Sequence, residues 1–119
     1  MRRDNPEERI QIAVACALDA AGVLWMHCPN EGRCSKAEGA RRKSRGVKAG
    51  VPDVLIFDPP PWDGPWYRGA ALELKAERGS ASAEQREWMA RLATLGWATA
   101  IVKGEAEAMA QLRAWGYIR

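Results

Sequence analysis

No run of eighteen or more apolar residues occurs in the chain, which excludes a helical membrane span. The opening residues Met1-Arg2-Arg3-Asp4-Asn5-Pro6 lack the apolar core of a secretory signal, so the expected location is intracellular, in the cytoplasm of a bacterial or phage-infected cell. Cysteine is scarce and odd in number, with only Cys16, Cys28 and Cys34; an odd count does not build a disulfide scaffold. Nor do Cys28, Cys34 and the lone histidine, His27, follow a compact zinc spacing. A zinc-binding adaptor would need Cys16 to swing in as a fourth ligand, whereas Cys16 reads as a small buried residue on a helix. Internal repeats and low-complexity segments are also absent. Acidic residues are nearly missing between positions 33 and 48, where Glu38 alone faces Arg33, Lys36, Arg41, Arg42, Lys43, Arg45 and Lys48.

What is present fits one domain spanning 1–119, since 119 residues with 47% hydrophobic content can fill one core and not two. The net charge of +3 is mild; its concentration in the basic segment says more. Such a segment is either a solvated loop or, beside a phosphate-cutting centre, a contact for a nucleic-acid backbone that carries no sequence information.

The elements follow from caps and periodicity. Asn5 is an N-cap with Pro6 at the first helical position and Glu8 three residues on. Ile10, Val14 and Leu18 mark the buried stripe of that first helix, and Gly22 ends it. Strands are expected over 23–27, 51–57, 67–75 and 97–102. Residues 28–50 read as loop with one helical turn around 36–43. Four prolines between 58 and 66 forbid regular structure there and leave a long connection carrying Trp62 and Trp66. Ser82 and Gln85 form a capping-box pattern for a helix marked by Trp88, Met89 and Leu92; a last helix over 105–115 turns Met109, Leu112 and Trp115 inward. Trp25, Trp88, Trp97 and Trp115 stand at core-like positions. The order α-β-β-β-α-β-α predicts an α/β fold with a mixed four-stranded sheet flanked by helices.

Two charged motifs interrupt these apolar strands: Asp53 at the start of Val54-Leu55-Ile56-Phe57, and Glu73-Leu74-Lys75 at the end of Ala70-Ala71-Leu72. Placing charge in buried strands costs several kcal/mol per ion. Two carboxylates and a lysine on neighbouring strands make a site for a hard cation beside a positive group, the equipment for metal-assisted phosphodiester hydrolysis. Mg²⁺ and Mn²⁺ are the fitting ions. Lys75 lies two residues after Glu73 and so shares its side of the strand, where an ammonium could orient or deprotonate water or stabilise developing phosphate charge. The ordinary structural reading makes Asp53 a turn residue and Glu73 the ion-pair partner of Lys75. His27 beside a strand reads as a structural residue.

Pro52-Asp53 and Glu73-Leu74-Lys75 match the two motifs of the PD-(D/E)xK nuclease superfamily. With Pro29-Asn30-Glu31-Gly32, Gly46-Val47-Lys48-Ala49-Gly50-Val51 and Ser82-Ala83-Glu84-Gln85, the chain resembles the VRR-NUC (virus-type replication-repair nuclease) domain, above all its short stand-alone form common in phage genomes. The likeness runs from about residue 8 to 115. It implies a restriction-endonuclease-like core and a DNA endonuclease that leaves a 5′-phosphate and a 3′-hydroxyl. It assigns Asp53 and Glu73 as metal ligands, adds the backbone carbonyl of Leu74, and places Lys75 and Gln85 at the active centre. Glu8-Arg9-Ile10-Gln11 fits the family's E-x-I-Q wording, so Glu8 is a further candidate acid for catalysis and metal, against its alternative as a capping residue; Gln85 has the same two readings. Asn30 and Glu31 are expected to order a loop or touch substrate. Lys36, Arg41, Arg42, Lys43, Arg45 and Lys48 would carry DNA, and the stand-alone form implies a symmetric homodimer acting on branched DNA in the manner of a Holliday-junction resolvase. The competing class is a non-catalytic DNA-binding module of the same fold.

Overall fold

The structure is a computed structural model and describes residues 5–29, 35–62 and 66–119. Helix α1 (Pro6–Ala21) starts where the Asn5 side chain accepts the N–H groups of Glu7 and Glu8, and stops at Gly22, whose φ of 73° lies in the left-handed region. Ile10, Val14 and Leu18 are its buried residues, as the four-residue spacing predicts. Cys16 is exposed, contrary to expectation. It sits two residues after Val14, about 200° round a 3.6-residue helix, and so lands on the far face.

Strand β1 (Trp25–His27) is followed by helix α2 (Lys36–Ser44), β2 (Val54–Ile56), β3 (Ala70–Lys75), α3 (Ala83–Thr94), β4 (Ala98–Lys103) and α4 (Gly104–Trp115). The mixed four-stranded sheet is present, in the order β1-β2-β3-β4. β1 and β3 run antiparallel to β2, and β4 runs parallel to β3. The expected element order gains one helix, because α2 occupies nine residues where a single turn was expected. It buries no side chain, which is why apolar periodicity does not reveal it. Ser35 caps its start, and Glu38 holds Arg41, Arg42 and Arg45 within 2.9–3.5 Å along its surface.

The strands are shorter than their apolar runs. Pro52 can give no ladder donor, and the ladder between β2 and β3 closes at the pair Val54 and Leu72. Gly69 marks the other end: a Cβ there would collide with the Ile56 carbonyl oxygen.

Side chains alternate along β3 and decide what each face receives. Leu72 and Leu74 join Ile10, Val14 and Leu18 of α1 and Ala108, Leu112 and Trp115 of α4 in the core. Glu73, between them, meets Gln85 of α3. Among the tryptophans placed at core-like positions, Trp115 is buried, but Trp25, Trp88 and Trp97 are only half-buried. Two of them spend the indole N–H on a partner: Trp25 donates to Asp19 and Trp88 to the Ala49 carbonyl. Trp62 and Trp66 are exposed, and Trp62 lies across Gly116, where a Cβ would fall 2.6 Å from its ring. No described helix is long and apolar enough to cross a membrane. Asn30, Glu31, Arg33 and Cys34 lie outside the described residues.

Candidate active site

Four elements meet where β2 begins and β3 ends. The chain enters through Gly50, which has φ of 84° and lies so close to α3 that a Cβ would stand 2.7 Å from the Glu84 backbone. Only glycine meets both demands. Trp88 ties the preceding Ala49 carbonyl to the same helix at 2.9 Å. Asp53 follows, with backbone and side chain both engaged. Its carbonyl oxygen accepts the Cys28 N–H at 2.8 Å and meets His27 Nδ1 at 2.9 Å. Its carboxylate Oδ2 accepts the Leu74 N–H at 2.7 Å. A side-chain oxygen thus receives a β3 amide just beyond the last ladder pair.

Glu73 is 2% exposed and is the buried charged residue of the core. Its Oε2 accepts Gln85 Nε2 at 3.1 Å and lies 3.5 Å from Lys75 Nζ. Its Oε1 is buried and has no hydrogen-bond partner among the described residues. Burial, first, and the neighbouring Asp53 carboxylate, second, push its pKa up to about 8, against the pull of Lys75. An orphaned buried oxygen beside a second carboxylate is costly unless a proton or a cation joins it.

Gln85 bonds to both the helix start and the candidate acid. Its Oε1 accepts the Ser82 N–H at 2.8 Å, completing the capping box, while its Nε2 donates to Glu73. The two ends of one amide cap the helix and fix the acid. Asp53, Glu73, Lys75 and Gln85 are therefore brought together, and Leu74 is bonded to Asp53 through its N–H.

Glu8 is near but not in this group. It lines a cleft of about 430 Å³ with Asn5, Glu7, Gln11, His27, Asp53 and Leu74. Among the described residues, no three His, Cys, Asp or Glu side chains stand close enough to enclose a cation, so the three-acid set with Glu8 is not assembled; Cys34, which the zinc alternative needs, lies outside the described residues. A divalent cation still fits the donors present. Mg²⁺-type ions are commonly held by one or two carboxylates, with water and substrate filling the other positions, and Asp53 with the orphaned Glu73 oxygen supplies that minimum.

The basic residues fall on α2 and the segment after it. Lys36, Arg41, Lys43, Arg45 and Lys48 are exposed and Arg42 is half-buried. Arg41, Arg42 and Arg45 share Glu38, whose carboxyl is held below its usual range first by the Arg41 hydrogen bond.

The sequence reads His27 as structural, which its hydrogen bond to the Asp53 backbone carbonyl fits; that it also lines the cleft was not foreseen. The available signal was its place at the end of β1: an antiparallel neighbour of β2 must end where β2 begins, beside Asp53.

The VRR-NUC domain family matches residues 5–106 of the chain. A solved structure described as a VRR-NUC domain protein is similar, with 21% sequence identity, a TM-score of 0.72, and coverage of 98% of this chain and 93% of its own. Another, described as a VRR-NUC domain, shows 19% identity and a TM-score of 0.62 over 92% of this chain and 97% of its own. No match was found among curated proteins.

Proposed function

The chain belongs to the VRR-NUC domain family, a nuclease-type family, and from that premise we propose that it is a metal-dependent DNA endonuclease. The observation that carries this reading is the buried Glu73 carboxylate, with one oxygen orphaned, beside Asp53 and within 3.5 Å of Lys75. Neutralising that pair with a divalent cation removes the burial cost that raises the Glu73 pKa.

Asp53 and Glu73 would hold Mg²⁺ or Mn²⁺, with the Leu74 carbonyl as a backbone donor, while Glu8 lines the adjacent cleft. Such a cation would act as a Lewis acid on the phosphoryl group and lower the pKa of water beside it. The residues of the chain do the rest. Lys75, 13% exposed, keeps its ammonium on the Glu73 side of the strand, where it orients the attacking water or offsets charge developing on the phosphate. Gln85 locks the Glu73 rotamer. In-line attack breaks the P–O3′ bond and leaves a 5′-phosphate and a 3′-hydroxyl. The basic face of α2 and Lys48 position the phosphate backbone without reading bases. A homodimer would set two such sites on two strands of a branched substrate.

Cleavage of a labelled four-way junction, matched duplex and single strand with Mg²⁺, Mn²⁺ or EDTA tests this directly. Metal-dependent cutting of the junction that is lost in Asp53→Ala supports the full reading. Cutting of the linear substrates alone removes the junction preference. A folded protein that binds DNA and cuts none of these substrates favours the binding-module class. A monomeric mass at micromolar concentration would count against the dimer.

A further inference from the structure

Helix α2 stands apart from the rest of the fold, and the role inferred for it rests on the reading of DNA as the substrate. It buries no side chain, and among the described residues no other helix or strand packs closely against it. Its nine residues, Lys36–Ser44, are fewer than the ~12–15 that hold an isolated helix together in water. Gly39 sits in its interior, where glycine weakens a helix. The Ser35 cap and the Glu38 carboxylate are what hold it, and exposed ion pairs add little. Helix α3 is capped in the same way but buries Met89 and packs on β3 and β4. An element with a cap and no packing belongs to the low-stability end of a fold.

The charges on α2 say what would stabilise it. In the helical form Arg41, Arg42 and Arg45 gather round Glu38 at 2.9–3.5 Å, three cations on one acid. Arg41 and Arg45 are four residues apart and Arg42 and Arg45 three apart, spacings at which like charges oppose a helix. Phosphates set against the three guanidiniums would remove that repulsion and favour the helix itself. We propose that α2 opens and closes independently of the sheet in the free chain, and that a DNA backbone locks it closed as a helix. Binding at this segment is then coupled to local folding, so its strength depends on the helix propensity of 36–44 as well as on charge. The segment after α2 is fixed to α3, where Trp88 holds the Ala49 carbonyl at 2.9 Å and Gly50 lies against Glu84. Closing α2 therefore sets a gripped strand at a fixed reach from Asp53.

The test is amide hydrogen exchange of the full chain, read by mass spectrometry with EDTA present so that nothing is cut. The chain is measured alone and with a four-way DNA junction, whose arms also offer plain duplex. In the free chain the amides of 36–44 should exchange about a hundredfold faster than those of α3, and bound DNA should slow them by about tenfold or more. The slowing should vanish in salt that screens the phosphates. Gly39→Ala separates folding from mere covering by DNA. It adds helix propensity and removes no charge, so DNA binding should tighten about fivefold, the ~1 kcal/mol by which alanine exceeds glycine in a helix. Exchange in the free chain as slow in α2 as in α3 overturns the proposal. Unchanged exchange of α2 in a chain that binds DNA, or unchanged affinity in Gly39→Ala, also overturns it and leaves the nuclease reading standing. A chain that binds no DNA overturns both.

Discussion

Replacing Glu73 by glutamine tests whether a strained acid organises this site, and its effect on stability is expected to reverse with pH. In the folded chain the Glu73 pKa is pushed from 4.5 to about 8. Between those values the folded state binds a proton that the unfolded chain has already released. Stability is therefore fully present below about pH 4.5, falls as pH rises, and the loss is complete above about pH 8. A rise from 4.5 to about 8 corresponds to at most about 5 kcal/mol, a large part of the 5–15 kcal/mol typical of a whole domain. Glu73→Gln cannot ionise, keeps the size of the side chain, and should remove this slope. The assay is urea unfolding in EDTA at several values between pH 5 and 8.5. The wild type should lose midpoint steadily over that window while the variant stays nearly level, so the two curves converge or cross at low pH. Saturating Mn²⁺ should flatten the wild-type slope, and Mn²⁺ titrated near pH 6.5 should release close to one proton, read by calorimetry in buffers of different ionisation enthalpy. A wild-type curve as level as that of the variant in EDTA would refute the assignment of a proton to this pair.

Other contacts give further expected outcomes. Gln85→Leu removes both the acceptor for the Ser82 N–H and the donor to Glu73, and should cost about 1–3 kcal/mol in urea unfolding while weakening Mn²⁺ binding. Gly50→Ala meets the Glu84 backbone at 2.7 Å in a left-handed conformation, and should cost about 2–4 kcal/mol by thermal melting. Lys75→Met should retain Mn²⁺ binding in a titration but lower the single-turnover cleavage rate by about 10²–10⁴. Glu38→Gln releases Arg41, Arg42 and Arg45 from their shared acid; low-salt DNA affinity should rise and its salt dependence steepen.

The sheet was legible because its signals are local and redundant. Asn5 and Gly22 bound α1 and Gly116 ends α4, whose buried residues recur at helical spacing; Ser82 caps α3, which buries Met89 but leaves Trp88 and Leu92 half-buried, and the apolar runs fall where strands form. The proximity of Asp53, Glu73 and Lys75 was legible for a different reason: charge in an apolar strand needs compensation, so its presence marks a candidate site. What stayed hidden depends on partners remote in sequence or on charge alone. Helix α2 is held by ion pairs around Glu38 and has no apolar stripe to count. Cys16 was misplaced because its helix buries a narrow stripe, and a small apolar residue on the opposite face leaves no contrary signal. The double duty of Gln85 needs the Glu73 oxygen twelve residues away. The contact of His27 with Asp53 needs the pairing of β1 with β2.

Helix α3 reaches both halves of the site, holding Glu73 through Gln85 and the approach to Asp53 through Glu84 and Trp88. In sequence the carboxylate pair and its supports are complete by Trp88. In space they are not, because the β3 face opposite Glu73 is sealed only when Leu112 and Trp115 of α4 join the core. A chain emerging from the ribosome therefore carries every chemical group of the centre before it can hold them in register. If this centre cuts DNA, competence would follow the docking of the closing helix rather than the synthesis of the site residues.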